Sequence, residues 1–323
     1  MRYTTTRRDF IRTTALSAAA AGMGRAAFAQ ANTQQGADAE TQPATGGAGK
    51  KRDFKISLAG WSLHRTIGRG DDKVDMLDMP KMTKEEFGID AIELVNGMLS
   101  STDEDYFKQL KQNAADHDVQ ILLIMVDGQG NIGAAKKRHR DVAVKRHKFW
   151  IDQAAMLGCH SIRMNWKGEP KGVMEDAELL DMFIDRSAPG FRELCAYGER
   201  KNIHVLLENH WGPSSYPGAV EKLAAAIDHP RFGTLPDFGN FPDDVDRYEA
   251  VDRLMPFAKA LSAKCYDFDP DTGEDTQIDF ERMLEICVDK HGYNGWIGIE
   301  YEGSELGEIE GVKAAKALLE KHR

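Results

Sequence analysis

The chain is 323 residues long, with 52 acidic residues against 42 basic ones, a formal net charge of -10 and 41% hydrophobic residues. No basic stripe runs through it, which argues against a nucleic-acid or anionic-membrane partner, since both need clustered Lys and Arg. Cys159, Cys195, Cys265 and Cys287 lack C-x-x-C spacing, so neither a zinc knot nor a thioredoxin-type motif is present and buried thiols are expected.

In chain order, the first element is a leader. Arg7-Arg8-Asp9-Phe10-Ile11-Arg12 precedes an alanine-rich apolar run, Ala15 to Met23, and then Ala27-Phe28-Ala29. That order is the order of a signal peptide. The apolar run is too short and too weak for a stable membrane span, which needs about 20 residues of stronger hydrophobicity. Residues 1–29 are therefore expected to be a twin-arginine signal, cleaved after Ala29, that delivers the folded protein to the periplasm through the twin-arginine translocation machinery. Residues 30–52 hold almost no large apolar side chains and are expected to be a disordered linker. Residues 53–323 remain for one large domain.

In that domain, short apolar runs alternate with stretches of helical period. Strands are expected at Lys55–Leu63, Ala91–Val95, Gln120–Val126, Ser161–Asn165, His204–Asn209, Gly233–Asp237, Ala258–Ala263 and Trp296–Tyr301. Helices are expected at Met79–Phe87, Glu104–His117, Ala134–Leu157, Asp176–Lys201, Pro217–Asp228, Asp246–Met255, Phe280–Lys290 and Ile309–His322. Runs such as QILLIMV are nearly all apolar, as parallel strands covered on both faces are. Eight βα units in about 270 residues predict a single α/β (β/α)8 TIM barrel. Gly128-x-Gly130-x-x-Gly133 is not on the first strand and has no ribose-binding acid downstream, so it reads as a loose loop and not as a dinucleotide site. The cluster Lys136–Arg140 with Lys145 and Arg146 reads as a solvated helix face.

The expected strand ends are polar: His64 and Arg65, Glu93 with Asn96, Asp127, Arg163 with Asn165, Glu208-Asn209-His210, Asp237 with Asn240, Ser262 with Lys264, and Glu300 with Glu302. In a barrel of this kind the strands' C-terminal ends converge on one basin. Three inward carboxylates, Glu208, Asp237 and Glu300, would repel one another strongly unless a cation lay between them. Trp61, Trp166 and Trp211 lie where an indole can either pack on a sugar ring or simply cap the barrel.

Gly60-Trp61-Ser62-Leu63, Ile92-Glu93-Leu94, Leu207-Glu208-Asn209-His210, Pro236-Asp237-Phe238-Gly239-Asn240 and Gly298-Ile299-Glu300-Tyr301-Glu302-Gly303 resemble the sugar phosphate isomerase/epimerase superfamily with the xylose-isomerase-like barrel, from about Lys55 onward. The resemblance implies a divalent metal, Mn2+, Mg2+ or Co2+, with Zn2+ if an imidazole joins. Its ligands would be Glu208, Asp237 and Glu300. The family's seventh-strand histidine is replaced by Ser262, so water, Ser262 or His210 would complete the shell. The resemblance also implies proton transfer beside a sugar carbonyl through an enediolate, with Glu208 and Glu300 exchanging the proton. Lys264 would assist catalysis, and His64, Arg65, Glu93, Arg163, Asn165, His210, Trp211 and Asn240 would contact a small-molecule sugar. The same enolisation would serve a 3-keto-glycoside lyase, and a non-catalytic periplasmic sugar-binding barrel is a further alternative.

Overall fold

A computed structural model describes residues 51–323 apart from Asp71; the expected leader and almost all of the linker lie outside the described residues. Eight strands form in chain order: β1 (Lys55–Ala59), β2 (Ala91–Val95), β3 (Gln120–Val126), β4 (Ser161–Met164), β5 (His204–Glu208), β6 (Phe232–Leu235), β7 (Leu261–Cys265) and β8 (Trp296–Tyr301). The helices between them are α1 (Met79–Phe87), α2 (Glu104–Asp116), α3 (Lys137–Leu157), α4 (Ala177–Glu199), α5 (Pro217–Ile227), α6 (Arg247–Leu254), α7 (Phe280–Leu284) and α8 (Glu308–Lys321). Every strand pair is parallel, in the order β6-β5-β4-β3-β2-β1-β8-β7. Parallel bridges Thr234–Ala258 and Asp237–Ser262 join the two end strands, so the sheet closes as a (β/α)8 barrel. Closure removes the unpaired strand edges.

The apolar runs do what their composition predicts. All five residues of β2, and six of the seven in β3, are buried between the barrel interior and the helices. Helix starts are fixed by side chains that accept from otherwise unpaired N–H groups: Asp176 from Glu178 and Leu179, and Asp246 from Tyr248 and Glu249. No described helix is long and apolar enough to cross a membrane. All four cysteines are buried free thiols.

Two strand boundaries differ from expectation in ways that shape the site. After Ala59 the chain turns into a 3-10 segment, Gly60–Leu63, instead of continuing as strand. Ser62 Oγ, which donates to Ile299 O and accepts from Tyr301 N, ties that turn to β8. The seventh strand begins three residues later than expected, because Met255–Phe257 forms a 3-10 turn around Pro256. That shift puts Lys264 inside β7, opposite Glu300, with Ser262 opposite Gly298. Arg52, expected to end the linker, is 7% exposed and clamped to Glu281 (2.7 Å) and Asp289 (2.9 Å).

The loop after β3 is not loose. A Cβ added at Gly133 would lie 2.1 Å from the Phe183 ring, so glycine is required where this loop passes α4. The basic cluster at the start of α3 is exposed apart from Arg140, which is half-buried.

Candidate active site

The parallel register carries the strand-end side chains into one layer. Glu208 closes β5, Asp237 follows β6, Ser262 and Lys264 lie two apart on β7, and Glu300 is on β8. Residues two apart on a strand share a face, so Ser262 and Lys264 both reach this layer. Glu208, Asp237 and Glu300 are at most 2% exposed, and one oxygen from each lies within 4.8 Å of the others. The expected convergence of three carboxylates is observed.

Two buried cations and one hydroxyl hold the ring. Lys264 Nζ is 3.0 Å from Glu300 Oε1, 3.2 Å from Glu302 Oε1 and 3.2 Å from Asn240 Oδ1, which uses all three of its protons. Arg163, 1% exposed, places Nη1 2.7 Å from Asp127 Oδ1 and Nε 3.1 Å from Glu208 Oε2. Ser262 Oγ lies 2.8 Å from Asp237 Oδ2 and 3.1 Å from Glu300 Oε2. A hydroxyl has one proton to donate, so it bridges both carboxylates fully only when one of them is protonated. Asp237 Oδ1 also accepts from the backbone N–H groups of Gly239 and Asn240, each at 2.8 Å.

These surroundings separate the proton affinities of the ring. Burial pushes Glu208 well above the usual carboxylate range, and the Glu300 and Asp237 charges add to the rise against the pull of Arg163 and Lys264. Burial also raises Asp237 to about 6. For Glu300 the burial cost is outweighed by Lys264, Arg163 and Ser262, so its value falls. Burial would lower Lys264, but Asp237, Glu300, Glu302 and Glu208 reverse that and keep it an ammonium. His210 is brought down to about 4 by burial and by Arg163, Lys167 and Lys264, so its imidazole is neutral.

A run of buried polar atoms around this ring lacks hydrogen-bond partners: Asp127 Oδ2, Arg163 Nε, Asn165 Oδ1, both oxygens of Glu208, His210 Nδ1 and Asn240 Nδ2. Orphaned buried polar atoms cost free energy and are uncommon in native proteins. Both donors and acceptors are among them, on and just beyond the ends of β3 to β6, a combination that suits a polyhydroxylated ligand. Arg163 Nε stands 3.1 Å from Glu208 Oε2 without hydrogen-bond alignment, and the Glu208 oxygens, with the oxygen-only donor set of the triad, also fit a hard divalent cation.

Several expected contacts fall outside the ring. Trp166 is fully buried, stacked on Phe183 at 4.7 Å and donating to Ser187 Oγ, so it is a core residue and not a sugar platform. His64 and Arg65 are exposed and face Glu308 on α8, at 3.5 and 3.3 Å. Glu93 is interior, accepting from Ser57 Oγ at 2.7 Å and filling the space left by Gly298, where an added Cβ would lie 2.4 Å from Glu93 Oε1. Trp61 is half-buried and tilted against His64. Trp211 is 52% exposed on the loop after β5.

Other residues gain roles that sequence reasoning left unassigned. Asp127 binds Arg163 and Asn165 through one oxygen. Asn96 exchanges two hydrogen bonds with the Asp127 backbone, and Asn209 does the same with Asp237. The available signal was an Asn directly after a strand, in a position to extend the sheet through its amide.

Comparison with known proteins agrees with this architecture. The chain belongs to the family described as Xylose isomerase-like TIM barrel, whose model matches residues 84–322. No curated protein matches the chain in sequence. Among solved structures, a D-tagatose 3-epimerase-like protein superimposes with a TM-score of 0.67 at 19% identity, covering 83% of this chain and 98% of that one. The 3-keto-D-glucoside 4-epimerase of E. coli gives 0.66 at 15% identity, covering 83% and 99%. A xylose isomerase-like barrel protein from Mycobacterium smegmatis, in complex with magnesium, gives 0.59 at 16% identity, covering 84% and 98%. At these identities the likeness is one of fold.

Proposed function

We propose that the protein is a keto-sugar isomerase or epimerase that moves a proton on the carbon beside a carbonyl through an enediolate. The observation that carries this is the convergence of three buried carboxylates, Glu208, Asp237 and Glu300, with one oxygen of each within 4.8 Å of the others, inside a rim of unpartnered donors and acceptors. Glu208 and Glu300 exchange the proton: Glu300, whose charge Lys264 and Ser262 offset, removes it, and Glu208, ionised while it holds a divalent cation, takes up a proton during the reaction and returns it. Lys264 and Arg163 face the negative charge that develops on the substrate oxygens, in a site where water screens little. Asn165, His210 and Asn240 offer hydrogen bonds to sugar hydroxyls, as does the free oxygen of Asp127.

Glu208, Asp237 and Glu300 would hold a divalent cation, Mn2+, Mg2+ or Co2+, with Ser262 or water in the fourth position and Zn2+ if His210 joins. Such a cation supplies Lewis-acid polarisation of the carbonyl. We further propose that residues 1–29 direct export by the twin-arginine route, which would place the activity in the periplasm, where sugars without phosphate are the more available substrates.

The test is solvent-deuterium incorporation into candidate keto-sugars, followed by NMR. Exchange beside the carbonyl should be lost by roughly 10²–10⁴-fold in Glu300→Gln and in Glu208→Gln, abolished by chelator and restored by Mn2+ or Co2+. Full exchange in the double Gln variant would remove the mechanism; exchange that resists chelator would remove the metal. Two fragments released from an oxidised disaccharide would identify a lyase acting through the same step.

A further inference from the structure

Trp211 stands three residues beyond Glu208 and departs from its surroundings in two ways. Its backbone has φ 60° and ψ 160°, a region that suits glycine and strains a bulky side chain. Its indole is 52% exposed, whereas Glu208, Asn209 and Arg163 are 2% exposed or less.

The strained segment is held from several sides. Lys167 Nζ donates to His210 O at 2.9 Å, Ser214 Oγ accepts from His210 N at 2.9 Å and donates to Trp211 O at 3.1 Å, and Gly212 follows at φ 64°. A residue that only sealed the barrel would be buried, as Trp166 is. A residue free of any role would be expected to be glycine or small. Fixed backbone, strain and an exposed aromatic face together mark a side chain kept for contact with something outside the ring.

Three residues of chain span at most about 10 Å. Trp211 therefore belongs to the rim of the basin that Glu208 lines, within side-chain reach of what protrudes from it. Its indole is too exposed to be part of the pocket that buries a sugar engaged by Glu208.

We infer that Trp211 forms a second, outer subsite that stacks on the apolar face of a further sugar ring, so the substrate class is a glycoside of two or more rings and not a free monosaccharide. The inference rests on the proposed use of the buried ring for a sugar.

Calorimetric titration with an unreactive disaccharide (trehalose, cellobiose or maltose) and with glucose tests it independently of turnover. The wild type should bind at least one of the disaccharides at least tenfold more tightly than glucose. Trp211→Ala should lose that advantage with its affinity for glucose unchanged, and Trp211→Phe should keep most of it. Trp211→Gly should raise Tm while losing the same advantage, because glycine accepts this backbone. Equal affinity of every disaccharide and glucose in the wild type, no binding of any of these sugars, or a substitution that alters only self-association in light scattering would each overturn the subsite. Loss of all turnover with the binding advantage intact would sink the epimerase reading and leave the subsite standing.

Discussion

Glu93 gives a prediction in which the sign and size both follow from its position. The carboxyl is 1% exposed, with one oxygen hydrogen-bonded to Ser57 and the other without a partner. Burial, offset in part by Ser57, raised by Glu300 and lowered by Arg163, lifts its value from the ordinary 4.5 to about 7. Between those two values the unfolded chain binds fewer protons than the folded one, so stability falls as pH rises through the window. The loss is absent below pH 4.5 and complete above about pH 7. At about 1.4 kcal/mol per unit the full shift is worth about 3 kcal/mol. Glu93→Gln keeps the shape and cannot ionise. Wild type and variant should therefore unfold together at pH 4.5 and separate as pH rises, with the variant more stable by about 3 kcal/mol, or roughly 6 °C in Tm, at pH 8. Thermal unfolding followed by circular dichroism from pH 4 to 8, in chelator, measures this. A gap that stays constant with pH, or a wild type more stable at pH 8, would refute the assignment of a buried carboxyl that resists ionisation.

Arg163→Met removes the nearest cation from Glu208 and one of the two partners of Asp127 Oδ1; breaking buried pairs of this kind costs about 3–5 kcal/mol, to be seen in urea unfolding. Glu208→Gln in the same chain should recover part of that loss, and a double variant no more stable than Arg163→Met would show that Glu208 is not the group left unpaired. Trp166→Ala should cost about 3–5 kcal/mol as a large core deletion, while any protein that remains folded keeps its sugar affinity; a selective loss of affinity would return Trp166 to the site.

The period of the apolar runs made the barrel legible. Continuous apolar strands and amphipathic helices leave few other ways to bury both faces of eight parallel strands, and β2, β3, β8 and α1 begin and end where their residues indicate. The two shifts that shape the site came where 3-10 turns replaced strand. Pro256 delayed β7, and Ser62 found its partners on β8, a contact 237 residues away that no local pattern encodes. The carboxylate triad was legible because strand ends converge. The direction of each side chain was not: Trp166 turned inward because Gly133 clears space for Phe183 beneath it, and that pairing joins residues far apart in sequence.

The serine at position 262 on β7 is best understood with Lys264. Ser262 is too short to reach far into the basin, yet its hydroxyl lies between Asp237 and Glu300, while Lys264, two residues on, extends its ammonium to the far oxygen of Glu300. Together they satisfy both Glu300 oxygens and leave Glu208 as the carboxylate whose oxygens have no donor. Arg163 and Lys264 also pair with Asp127 and Glu302, so two cations are shared among five carboxylates, and in a water-poor site that deficit favours a bound cation or a retained proton. The same arithmetic distinguishes the two glutamates. In the proposed reaction Glu300, whose charge Lys264 and Ser262 already offset, is the better placed of the two to accept a proton. The difference between the two glutamates is thus built into β7 by two inward positions, a small hydroxyl followed by a long cation.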